Sequence, residues 1–142
     1  THRERSATVA ETMSLPDAIY ARLSGFAGLT ALVATRIYPI RAPQNVTLPY
    51  LTFARVSAIR ESAMGADSGV TSARMQVSAW GATFTSAEAV KEQARAALQR
   101  LRGTFAGTEI LDCFIDSEIE LYEDETQIHQ IACDYLIHYR EA

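Results

Sequence analysis

Apolar residues recur along this chain with two different periods, and the changes of period divide it into elements. Leu15, Ile19, Leu23 and Phe26 stand at helical spacing behind Ser14-Leu15-Pro16-Asp17. That opening suits a capping box: the Ser14 oxygen takes the Asp17 amide, the Asp17 carboxylate reaches back, and Pro16 fits the first turn. Gly25 and Gly28 loosen the end, and residues 29–33 predict a second short helical turn. A longer helix is predicted behind Thr85-Ser86-Ala87-Glu88, another capping-box pattern. Ala87, Val90, Ala94, Ala97, Leu98 and Leu101 form its apolar stripe and Gly103 stops it. A stripe so rich in alanine lets the helix lie close against a sheet.

Period two marks the strands. Residues 36–40 read as a short one, with Pro39 placing it at an edge. Residues 50–59 alternate, with Leu51, Phe53 and Arg55 opposite Tyr50, Thr52 and Val56. Residues 70–81 alternate again: Met75, Val77 and Ala79 point one way, Arg74, Gln76, Ser78 and Trp80 the other. Trp80 is expected under a helix, packed in the core. Residues 60–69 are polar and contain Gly65 and Gly69, which predicts a protruding hairpin loop too long for a tight turn. Residues 110–122 alternate Asp112, Asp116, Glu118 and Glu120 with Leu111, Cys113, Ile115, Ile119 and Leu121. Residues 127–140 do likewise, and Glu123-Asp124-Glu125 makes the turn between the two. All four acids of residues 112–120 are expected on one face.

The order predicts an α+β domain: a mostly antiparallel sheet, two helices packed on one face, and a long protruding hairpin. Residues 14–142 form that single domain, and residues 1–13 are an appended polar arm, since Met13 abuts the capping box. The arm lacks the apolar core of a signal peptide, and no stretch is long enough to span a membrane. Neither repeats nor low-complexity tracts interrupt the chain. The two cysteines, Cys113 and Cys133, make no disulfide framework; they read as small buried hydrophobes in a reducing compartment.

Net charge is −4 over 142 residues, which is mild, but it is segregated. Residues 1–108 are net +5, and residues 109–125 hold eight acids and no base. A dense basic stripe that would neutralise phosphates is missing, so specific DNA binding is not expected. An acidic element with a basic remainder suits pairing between copies; charge alone favours a solvated acidic face.

Catalytic constellations are missing too. His129 and Cys133, four apart on a strand, are separated by roughly 13 Å, too far for one metal ion. The glycines of residues 65–69 have neither the lysine nor the following helix of a phosphate loop. Paired carboxylates along a strand read as a solvated or interface face. No enzyme activity, cofactor or metal is expected. The candidate contact residues are therefore Arg60, Glu61, Met64 and Asp67 in the hairpin, Arg55 and Arg74 on the central strands, and Glu118, Glu120, Glu123 and Asp124 on the acidic element.

Four segments carry a family likeness: residues 13–20, Arg36-Ile37-Tyr38-Pro39, Pro49-Tyr50-Leu51-Thr52-Phe53, and residues 74–80. In order and spacing they resemble the tail-completion (tail-terminator) proteins of long-tailed bacteriophages, over residues 14–140. The resemblance implies a structural virion subunit, assembled in the host cytoplasm, that closes into a ring, typically hexameric, on the last ring of tail-tube protein. Such a ring halts tube polymerisation and faces the head-side connector or stopper, while DNA passes through its lumen without specific binding. Phage-derived gene transfer agents use similar parts. Two other neck roles, stopper and adaptor, fit the same residues. A small-molecule-binding α+β domain or an unrecognised hydrolase would need a pocket or a nucleophile that the sequence does not display.

Overall fold

The computed structural model of the protein describes residues 14–63 and 66–140, with side chains for 14–58 and 70–140. Its elements are α1 (Leu15–Ser24), α2 (Ala27–Val33), β1 (Ile37–Pro39), β2 (Tyr50–Ala63), β3 (Ala66–Gly81), α3 (Phe84–Leu98), β4 (Gly103–Phe105), β5 (Thr108–Glu123) and β6 (Ile128–Arg140). The six strands form one curled, half-barrel sheet in the order β1-β2-β3-β6-β5-β4. β1 pairs with β2 in parallel, so the sheet is mixed; every other pairing is antiparallel.

The α+β class is as the pattern predicts, with three helices in place of two. The turn expected at residues 29–33 is a full helix starting at Ala27, with Leu29 and Val33 buried. At the head of α1 the Ser14 amide and hydroxyl both donate to the Asp17 carboxylate, at 3.3 and 3.2 Å. One core lies between helices and sheet. Leu15, Ile19, Leu23, Leu29 and the α3 stripe meet Leu51, Phe53, Met75, Val77, Ile137 and Tyr139 there.

Four local readings change. Helix α3 starts earlier than its Thr85 box: Thr83 is the N-cap, and its hydroxyl accepts the Ser86 amide at 3.0 Å. The helix also ends before Gly103. Gln99 turns extended because its side-chain oxygen accepts the Ile115 amide at 2.9 Å, while the Arg100 amide donates to the Cys113 carbonyl at 2.6 Å. Gly103 instead opens β4, which a two-residue turn joins to β5. Ala106 and Gly107 both take positive φ, 49° and 84°, as the twist of a tight hairpin demands. The loop expected at residues 60–69 is replaced, over its described residues 60–63 and 66–69, by strand. β2 and β3 keep pairing through Ser62↔Asp67 to Ala63↔Ala66, with an irregularity between Arg60 and Ser62, and residues 64–65 lie outside the described residues. Because β6 leaves β3 after Thr71↔Tyr139, the end of this hairpin extends past the rest of the sheet.

Trp80 also lies elsewhere than expected. It occupies the face away from the helices, stacked on Tyr50 with ring centroids 5.6 Å apart, and its indole N–H donates to the Thr52 hydroxyl at 3.0 Å. Both neighbours are polar-tipped, which satisfies the indole at a half-buried site.

α3 lies very close to β3 where the two meet. A Cβ on Gly81 would stand 2.6 Å from the Ala87 amide nitrogen, a backbone atom that cannot step aside. Gly81→Ala is therefore expected to destabilise the fold by about 1–3 kcal/mol, read from the midpoint of a urea titration.

Candidate interaction surface

Strand β5 sets the surface. Side chains alternate along a strand, so an extra residue on one partner reverses every face beyond it. β5 has two irregularities against β6, between Ile110 and Asp112 and between Ile115 and Ser117. Before the second, Cys113 and Ile115 face the core, opposite Ile137 and Tyr135. After it, Glu118 and Glu120 stand opposite Cys133 and Ile131, on the helix side, while Ile119 and Leu121 turn outward. The expectation that Asp112, Asp116, Glu118 and Glu120 share one face is thus corrected: Asp112 pairs across from His138 on the outer face, and the bulge separates it from the two glutamates.

Several of these acids are already partnered within the chain. Arg74 donates to Asp116 at 2.9 Å and to Asp134 at 3.4 Å on the outer face. Arg100 meets Asp112 at 2.7 Å and Arg140 meets Glu109 at 3.1 Å. Lys91 of α3, only 7% exposed, reaches Glu92 at 2.8 Å and Glu118 at 3.5 Å. Burial opposes the Lys91 charge, but the hydrogen bond to Glu92 and the attraction of Glu118 outweigh it and raise its pKa.

The candidate contact residues whose side chains are described therefore sort into two groups. Arg74 and Glu118 are engaged internally. Among the described residues, Arg55, Glu120, Glu123 and Asp124 are exposed and make no ion pair. Arg60, Glu61 and Asp67 sit on the paired hairpin, with side chains outside the described residues, and Met64 lies outside them altogether. Sequence reasoning missed Ile119, Leu121 and Val56, which are large, apolar and 55%, 47% and 57% exposed. The signal was present: Asp116-Ser117-Glu118 puts three polar residues in a row, which breaks the alternation where the bulge falls.

Among the described residues, both margins of the sheet are largely open. β1 covers only Leu51, Thr52 and Phe53 of β2, and β4 covers only Thr108, Glu109 and Ile110 of β5. Two hollows lie elsewhere. One, of about 310 Å³, is bounded by Trp80, Leu121 and Gln130; the other, about 470 Å³, lies between Tyr20 of α1 and Tyr38 of β1. Neither gathers convergent titratable groups, and among the described residues no three metal-binding side chains come together. His138 shares a 2.8 Å hydrogen bond with Ser72, and His129 is wedged beside Tyr122 at 4.7 Å between ring centroids.

The profile of the family described as "Tail completion protein gp17" matches residues 17–140. The chain belongs to the tail completion protein gp17 family. That is a family of structural proteins of the virion tail, not of enzymes. Among solved structures, a chain from the virion of a native gene transfer agent particle aligns at TM-score 0.78 and 17% identity, over 91% of this chain and 96% of that one. A second, of a protein without a functional name, aligns at TM-score 0.60 and 17% identity, over 93% and 95%. At such identities the likeness is one of fold. No curated protein sequence matches.

The cysteines lie under this surface. Burial, with Asp112 beside Cys113 and Glu118 beside Cys133, pushes both thiols up to about 12. Neither is expected to react with a thiol reagent at pH 8 until denaturant is added. A raised acid stays neutral in the fold, so its stabilising effect is whole below about pH 9 and fades as pH climbs toward 12. A pH series of melting temperatures checks this decline.

Proposed function

We propose that this tail completion protein is a tail terminator: it closes into a ring, of six copies by family resemblance, on the head-proximal end of the tail tube. There it stops tube polymerisation and joins the tail to the head connector or stopper protein. The observation that carries the reading is the family match across residues 17–140. The fold supports it, since a chain of the same architecture comes from a gene transfer agent virion. The surface supports it as well: charges without internal partners and outward apolar residues lie on open strand edges. DNA passes through the lumen of such a ring without specific recognition, because no basic stripe marks the chain.

In this reading the end of the β2–β3 hairpin docks the ring onto the tube or the connector. It extends past the sheet and carries Arg60, Glu61 and Asp67, with Met64 as an adaptable apolar side chain between them. Replacing residues 61–68 by a short Gly/Ser turn should leave the fold and ring closure intact, because β3 keeps its pairing with β6 from Thr71 onward. Particles made with that variant should show overlong tubes, or tails without heads, in electron micrographs. Normal infectious or DNA-transferring particles would move the docking surface elsewhere.

Residues 1–13 are proposed to be an arm dispensable for folding, because α1 begins on its own capping contacts at Ser14 and Asp17. Deleting residues 1–12 should leave the melting temperature within about two degrees.

A further inference from the structure

We propose that the ring is closed by direct strand pairing between copies, the open edge of β5 in one copy adding to the open edge of β2 in the next. The inference rests on the ring reading above and names the join. Four antiparallel strands, β2, β3, β6 and β5, form the body of the sheet, so its two outer members run in opposite directions. A rotation that carries one copy to the next keeps strand directions, and β5 therefore meets the neighbour's β2 antiparallel. The contact is heterologous, the kind that generates rings.

The short end strands fix where pairing is possible. β4 and the Gln99–Arg100 segment occupy β5 as far as Ile115, which leaves residues 116–123 free on that edge among the described residues. β1, with Ile40 donating to the Phe53 carbonyl, occupies β2 as far as Phe53, which leaves residues 54–63 free on that edge among the described residues. These two stretches lie at opposite ends of the sheet. Glu120 is level with Ile131, Ala79 and Leu51, whereas Ala58 is level with Ala73, Ile137 and Cys113. Bringing Glu120 beside the neighbour's Ala58 requires a slip of six positions along β3, from Ala79 to Ala73. That is roughly 20 Å at ~3.4 Å per residue, against about 19 Å of width for four strands. The strands would tilt about 45° to the ring axis, close to the 35–45° of closed barrels.

Side chains agree on both faces. On the helix side β5 presents Glu118 and Glu120, and β2 presents Arg55 opposite Met75, with Arg60 at the register position opposite Thr71. On the outer side β5 presents Ile119 and Leu121, and Val56 stands exposed in the β2 bulge on the edge they would meet. The join would cover three of the large exposed apolar residues and match an acidic edge to a basic one.

Charge exchange tests the join without endangering the fold, because Arg55 and Glu120 are exposed and free of internal ion pairs. Ring formation of wild type, Arg55→Glu, Glu120→Arg and the double variant is compared at low salt by sedimentation and negative-stain microscopy, with circular dichroism confirming folded protein. Each single variant should raise the concentration for half-assembly by roughly tenfold or more, since the change repeats at every contact in the ring, and the double variant should restore assembly. Rings that form equally well in both single variants, or a double variant that fails to recover, overturn the join and leave the ring reading standing. A wild type that stays monomeric even on purified tail tubes overturns both.

Discussion

A strand cannot change which way it faces except by gaining or losing a residue, and β5 depends on that constraint twice. The first irregularity, at Leu111, brings Cys113 and Ile115 into the core row beside Ile137 and Tyr135. The second, at Asp116, turns the apolar row outward again and brings the acids to the helix side. Without that second bulge, strict alternation would keep Ile119 and Leu121 in the buried row and turn the acids outward. With it, Glu118 arrives under α3, where Lys91 needs a counter-charge, and two aliphatic side chains are placed in the open. A surface otherwise destined to be plain and acidic becomes a charged stripe on one face and an apolar stripe on the other.

Lys91 shows how this arrangement is held. A lysine residue only 7% exposed carries a desolvation cost unless its charge is compensated, and here the compensation comes from both elements it bridges, Glu92 on its own helix and Glu118 on β5. The pair ties the distal half of β5 to α3 beyond the reach of the apolar core. Arg74 does the same on the outer face, gathering Asp116 of β5 and Asp134 of β6 around one guanidinium. Acids that looked available to a partner are thereby spent inside the chain, and those left over cluster at the far end of β5.

Much of the fold was legible because period and cap agree in the sequence. Leu15, Ile19 and Leu23 behind Ser14 and Asp17 specify α1 with no help from elsewhere, and Met75, Val77 and Ala79 specify the buried row of β3. What was not legible depended on contacts from distant residues. The end of α3 is set by Gln99 and Arg100 bonding to β5, a partner the local pattern cannot reveal, so Gly103 looked like the stop. Residues 60–69 read as a loop because they are polar and hold two glycines, whereas the ladder that carries residues 60–63 and 66–67 is a pairing between strands that the local pattern cannot reveal. Trp80 was expected inside because tryptophan is apolar, yet its indole found a hydroxyl and a tyrosine ring on the outer face. The contact residues were half legible: charge segregation pointed to the right strands, but only the bulges decide which of their side chains remain free.

Open sheet margins are usually a hazard, since unpaired amides and carbonyls invite any other edge. Natural sheets blunt them with charge, short end strands and bulges, and this one uses all three without closing either margin. β1 and β4 are three residues each, so they shield opposite corners and leave a long free stretch on β2 and on β5. A fully protective design would extend both covers. Partial covers do something different: they permit pairing at one stagger and block it at others, because any join in line with the sheet would drive β4 against β1. In the proposed join, the same short strands that fail as shields would act as register stops, letting a subunit meet its own copies in a single geometry and go no further.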